Sequence, residues 1–121
     1  MSGEGASRVL DVQVRSENGT EIVTVHGEVD MASAPQLQAA LEDAQRGGNP
    51  LVVDMSDVGF LGSAGLSALL VVSEAAQPQR LRVVASDAVR RPIELTALDK
   101  LLAVYDTLDA ALAEGTGTSA N

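Results

Sequence analysis

The chain has 121 residues, the size of one ordinary domain that can bury a core without disulfides or a structural metal. Seventeen acidic against eight basic residues give a formal charge of −9, the wrong sign for binding a phosphate backbone or an anionic membrane surface. No cysteine is present, which excludes disulfide frameworks, thiol nucleophiles and thiolate metal sites together.

The apolar fraction of 45% comes from Val, Leu and Ala, with Phe60 and Tyr105 the sole aromatics, so the core must be aliphatic and stacking platforms for single-stranded nucleic acid are lacking. No apolar run approaches the roughly 18 residues of a membrane span, and Met1 to Ser7 is too short and polar for a signal peptide. A cytoplasmic protein is expected. Its acidity serves solubility, or alternatively marks a surface for a basic partner.

Residues 1–7 are small and polar and read as a frayed start. From Arg8 the pattern alternates, Leu10, Val12 and Val14 against Asp11, Gln13 and Arg15, the period of a half-buried strand. Asn18-Gly19 favours the positive φ angles of a tight hairpin, and Ile22 to Val25 completes an antiparallel pair that ends at Gly27-Glu28-Val29-Asp30. Ser33 and Pro35 signal a helix start. Leu37, Ala40, Leu41 and Ala44 then recur at helical spacing until Gly47-Gly48-Asn49-Pro50 stops the helix.

Leu51-Val52-Val53 is a continuous apolar run suited to a strand covered on both faces. An acidic, glycine-punctuated loop leads from it to Ser63, and the second helix follows with Leu66, Leu69, Leu70 and Ser73 as one inward stripe that Ala68, Val71 and Val72 widen, ending at Gln77-Pro78. Leu81 to Ala85 reads as a fourth strand, Ser86 to Ala88 as a loop, and Arg91 to Ala97 as a third helix with Pro92 in its first turn. Leu102 to Tyr105 is a short fifth strand. Asp106 or Thr107 caps a last helix, and Gly115 onward reads as a flexible tail. The order ββαβαβαβα predicts an α/β domain in which a hairpin is followed by right-handed β-α-β crossovers, with helices packed on a mixed sheet.

Ser63 is the candidate around which the chemistry turns. A nucleophile elbow needs G-x-S-x-G, and Leu61 occupies the place of the first glycine. The one histidine, His26, falls inside a strand and reads as an ordinary sheet residue, which leaves a serine hydrolase without its base. Glycines 59, 62 and 65 match neither a dinucleotide fingerprint nor a P-loop, and serve tight turns. Asp54 at a strand end suggests a phospho-accepting receiver, but no acidic pair follows the first strand and Lys100 precedes a strand instead of following one. Glu28, Asp30, Asp54, Asp57 and Asp87 are expected on loops after strands, placing Ser63 in an acidic rim. Such carboxylates could bind a divalent cation, but on an acidic protein they read as solvated, and no metal or cofactor is assigned. Two roles remain for Ser63, compatible with each other: a helix N-cap, and a phospho-acceptor whose added charge of about −1.5 to −2 would switch an interface.

Three segments in order, VTVHGEVDMASAPQLQAAL (Val23 to Leu41), LVVDMSDVGFLGSAGLSALL (Leu51 to Leu70) and VRRPIELTALDKLLAVYDTLDAAL (Val89 to Leu112), resemble the signature blocks of bacterial anti-sigma factor antagonists, the STAS domain family. The resemblance spans nearly the whole chain, implying one STAS domain over residues 8–114 with flexible termini at 1–7 and 115–121. It implies a non-enzymatic switch in transcription regulation. The unmodified antagonist binds an anti-sigma factor that is also a serine kinase and frees the sigma factor; phosphorylation at the position of Ser63 ends that binding, and a serine phosphatase restores it. The partner-binding surface it implies contains Glu28, Asp30, Ser33, Ser56, Asp57, Gly62, Ala64 and Gly65. The alternative is a non-phosphorylated STAS interaction subunit of a transport or stress-signalling complex. The chain departs from the family at Gly62, where Asp commonly precedes the acceptor, at Ala64, where Ser or Thr often follows it, and at Pro92, where an apolar residue is usual.

Overall fold

The computed structural model describes residues 10–119. Its elements are β1 (Asp11–Glu17), β2 (Thr20–Val29), α1 (Ala34–Gln45), β3 (Leu51–Leu61), α2 (Ser63–Ala76), β4 (Arg82–Ala85), α3 (Asp87–Leu95), a 3₁₀ turn (Leu98–Lys100), β5 (Ala103–Tyr105) and α4 (Leu108–Ser119). This is the expected element order. Of the termini expected to be flexible, residues 1–7 and 120–121 lie outside the described residues, as do Arg8 and Val9, where the first strand was expected to begin.

The five strands lie in sequence order, β1 antiparallel to β2 and every later pair parallel. Asn18 and Gly19 close the hairpin with φ of 52° and 82°, the pair of positive angles that an Asn-Gly turn supplies. Because each right-handed crossover steps the same way along the sheet, α1, α2 and α3 all land on one face. There Val23, Val25, Val53, Met55 and Val83 meet Leu37, Leu41, Leu69, Val72, Val89 and Ile93 in the main core. The opposite face is covered by α4, whose Ala111 packs on Val52 and Val84.

Two helices differ from expectation. The buried stripe of α2 is Gly65, Ala68, Leu69, Val72 and Ser73, while Leu66 and Leu70 are half-buried and Val71 is 43% exposed. The helix is rotated by about one position because Gly65, not Leu66, rests on the sheet. The third helix starts four residues earlier than Arg91. Ser86 caps it, accepting from Val89 N–H at 3.3 Å and donating to Val58 C=O at 2.7 Å, so the cap also fastens the helix to β3. Pro92 therefore sits in the helix interior, not in its first turn. The core contact of Val89 and Ile93, one above the other at i, i+4, outweighs the hydrogen bond that Pro92 withholds from Ala88 C=O.

Replacing Pro92 with Ala restores that donor without changing the buried face. We expect stability to rise by about 1–3 kcal/mol, read as a higher urea midpoint at unchanged slope. An unchanged or lower midpoint contradicts this account of α3.

Candidate functional site

Parallel strands β2 and β3 end together, Val29 opposite Leu61, so the loops leaving them emerge side by side. Gly62 N–H donates to Val29 C=O at 2.9 Å, carrying the ladder one residue past the strand. The next helix then begins very close to the sheet. A Cβ on Gly65 would lie 2.5 Å from Leu61 Cδ1 and 2.6 Å from Val29 Cγ1, closer than real Cβ contacts come, and both of those side chains are buried. Glycine at 65 thus fixes where α2 starts, and with it the position of Ser63.

Ser63 is the first residue of α2 and is exposed. It is not the N-cap: Gly62, with φ −89° and ψ −178°, holds that position, and no side chain caps the helix. The strand runs to Leu61, which leaves a single residue to turn the chain, and the cap falls on it. Ser63 hydroxyl makes no hydrogen bond to another described residue, in contrast to Ser86, the capping serine of α3.

The β2–α1 loop faces it. Ala32 and Ser33 N–H both donate to Asp30 Oδ1 at 3.0 Å, and Asp30 N–H donates to Ser33 Oγ at 3.0 Å. Ser33 Oγ lies 3.0 Å from both Glu28 C=O and Asp30 Oδ1, and its single proton serves one of them at a time. Backbone and side-chain hydrogen bonds from Ser33 hold the Asp30 carboxyl below its usual pKa, so it stays charged and exposed at neutral pH.

Between the loops lies a shallow hollow of about 360 Å³. Asp30 and Met31 form one side, Phe60 and Gly62 the other, and Ser63, Ala64 and Ser67 the floor. Four residues singled out from the sequence, Asp30, Gly62, Ser63 and Ala64, meet here. Gly65 lies buried at the start of α2, and Ser33 is buried in the loop. Glu28, Ser56 and Asp57 do not line the hollow. Glu28 pairs with Phe60 across the ladder, Ser56 Oγ donates to Asp54 Oδ1 at 2.7 Å, and Asp57 Oδ2 stands 3.3 Å from His26 Nδ1.

The expected acidic rim therefore reduces to Asp30. Glu28, Asp54 and Asp57 lie within strands, because β3 keeps pairing with β2 through two register shifts where the sequence suggested a loop. Asp87 is the first residue of α3. Among the described residues, no three His, Cys, Asp or Glu side chains gather as a metal site, and no helix is long and apolar enough to cross a membrane.

Met31 and Phe60 are lining residues that sequence reasoning missed. Met31 is 81% exposed and Phe60 50%. The available signal was parity: Phe60 and Gly62 stand two apart at a strand end and share a side, opposite inward-facing Leu61. The ring lies where a side chain at 62 would begin, with Phe60 Cε2 3.1 Å from the Cβ that Gly62 lacks.

A model of the STAS domain matches residues 11–111. Anti-sigma-F factor antagonist RsfB of Mycobacterium tuberculosis is 40% identical over 107 residues, spanning 85% of this chain and 87% of its own. The crystal structure of an anti-sigma factor antagonist from Mycobacterium paratuberculosis superposes with a TM-score of 0.79 at 38% identity, covering 87% of this chain and 92% of that one. The phosphorylated form of SpoIIAA from Bacillus has the same fold at 17% identity, with a TM-score of 0.62 over 86% of this chain and 98% of that one.

Two measurements check the site's construction. Gly65→Ala is expected to cost about 1–3 kcal/mol because buried neighbours must move, whereas Gly62→Ala, needing only a shift of an exposed ring, stays within about 0.5 kcal/mol; equal costs contradict the close approach. Asp30→Asn removes a carboxylate whose folded-state pKa is depressed. Its stabilising contribution is present above the usual aspartate value and lost as pH falls through the lowered one. The variant's deficit in denaturation midpoint at pH 7 accordingly shrinks on acidification below about pH 4, and a deficit independent of pH contradicts the assignment.

Proposed function

The chain belongs to the STAS domain family, and from that premise we propose that it is an anti-sigma factor antagonist acting by partner switching. The unmodified form binds a kinase-type anti-sigma factor and releases the sigma factor; phosphorylation of Ser63 reverses the binding, and a serine phosphatase resets it. It is a cytoplasmic regulator with no reaction of its own. Its place in a stress response follows from the same reading.

The observation that carries this proposal is the exposed, unbonded hydroxyl of Ser63 at the first residue of α2, sharing its hollow with the charged carboxylate of Asp30. The hydroxyl is exposed to a kinase and has no hydrogen-bond partner among the described residues to give up. A phosphate there adds about −1.5 to −2 charge and three acceptor oxygens. The helix N-terminus attracts it, which makes the modified form tolerable in isolation. Against a docked partner the balance changes. Phosphate and Asp30 would both be covered in a site that holds no basic side chain among the described residues, and two like charges withdrawn from water repel more strongly than in solvent. The result is release. The 40% identity to a protein named as an anti-sigma-F factor antagonist supports the same reading.

Purified protein incubated with its kinase partner and ATP tests the switch. Ser63→Ala is expected to bind the partner like the wild type and take up no phosphate, and Ser63→Glu to bind at least about tenfold more weakly, a difference of about 1.4 kcal/mol. Phosphorylation of Ser63→Ala to the wild-type extent removes the acceptor assignment. Undiminished binding by Ser63→Glu removes the repulsion mechanism.

A further inference from the structure

The chain has one Phe, and its core is aliphatic, yet that Phe stays half exposed beside Ser63. Burying such a side chain is favourable, and the fold forgoes much of that gain here and again at Met31. The backbone of each is held in place. Met31 stands at the apex of a turn whose flanks are locked by the Asp30 and Ser33 hydrogen bonds, and Phe60 is held by its pairing with Glu28 and by the bare Gly62 beneath its ring. The other large exposed apolar side chains among the described residues, Val14, Val71, Leu95 and Leu101, do not line this hollow.

The hollow is also longer than the surroundings of Ser63. Through Met31, Ala64 and Ser67 it continues into a second depression of about 480 Å³ between α1 and α2, which runs past Ala39 to Glu42. The floor is made of small side chains, which lets another backbone approach closely. Its charged lining residues are Asp30 near one end and Glu42 near the other, both acidic.

We propose that this groove, with Met31 and Phe60 as its apolar walls, receives an amphipathic helix of the anti-sigma partner that carries an apolar stripe flanked by Lys or Arg. This rests on the functional reading above and deepens it. The groove lies between two helices, the setting in which a further helix packs, its apolar walls match an apolar stripe, and the acidic ends select basic flanks. Ser63 lies on the floor under the docked helix, so a phosphate there meets the stripe as well as Asp30. Gly62 has a role in the same device. By lacking a side chain it leaves room for the phenyl ring of Phe60, which forms the aromatic wall.

Calorimetric titration of the unphosphorylated protein with its anti-sigma partner tests the groove. Phe60→Ala and Met31→Ala are each expected to weaken binding at least about tenfold with unchanged thermal midpoint, while Leu95→Ala, about as exposed as Met31 but outside the groove, keeps wild-type affinity. Because the chain has no cysteine, Ala39→Cys provides a unique thiol for a photo-crosslinker. Crosslinks are expected on a basic amphipathic helix of the partner. Wild-type affinity in both Phe60→Ala and Met31→Ala, or crosslinks confined to a non-helical or acidic segment, overturns the groove and leaves the antagonist reading standing. A wild-type protein that binds no anti-sigma factor overturns both.

Discussion

The arrangement of this molecule depends on one close approach: the first turn of α2 against the paired ends of β2 and β3, with Gly65 pressed on Val29 and Leu61. A hydrogen in place of a methyl group lets the helix axis come down onto the strand ends. That contact determines which residues of α2 face the core, and Leu66 turns partly outward as a consequence. It brings the first turn of α2 beside the Asp30 loop. Gly62 and Gly65, three residues apart, do different jobs. One is an extended cap that any residue's backbone could adopt, and the other is a steric requirement. The conformational freedom of glycine is not what either position uses; the missing side chain is.

The one-sided placement of α1, α2 and α3 carries the site further. Successive right-handed crossovers in one direction stack these helices as neighbours, so a seam between α1 and α2 opens at the carboxyl ends of two adjacent strands. Two loops and two helix starts therefore converge at one end of the sheet. On the opposite sheet face, α4 packs over β3 to β5 and does not line the hollow. The polar side chains that look most chemical in sequence, His26, Asp54 and Asp57, sit on strands and satisfy one another or their neighbours.

Much of this was legible in the sequence because the decisive signals are local. Asn18-Gly19 dictates its hairpin, the spacing of Leu37 and Leu41 dictates α1, and an apolar run followed by a glycine-rich turn and an Ala/Leu segment dictates β3 and α2. Where the reading failed, a distant contact decided. Pro92 looks like a helix start until Ser86 is seen to bond Val58 on another element. The stretch from Asp54 to Gly59 looks like a loop because its polarity is local, whereas its pairing with β2 is not. Ser63 looks like a cap because Ser commonly is one, but the length of β3 hands that position to Gly62. Met31 and Phe60 went unnoticed for a related reason. Hydrophobicity in sequence implies burial, and exposure becomes visible once the core is known to be full without them.

The placement of Ser63 one residue inside its helix separates two properties that a capping serine would join. A hydroxyl that holds a helix end contributes about 1 kcal/mol to the fold, and esterifying it would exchange that hydrogen bond for a new one. Here the helix end is held by backbone and by the fit of Gly65, so a group attached at Ser63 displaces no hydrogen bond to another described residue. On the proposed reading, the two forms would then differ in what they associate with more than in how firmly they fold.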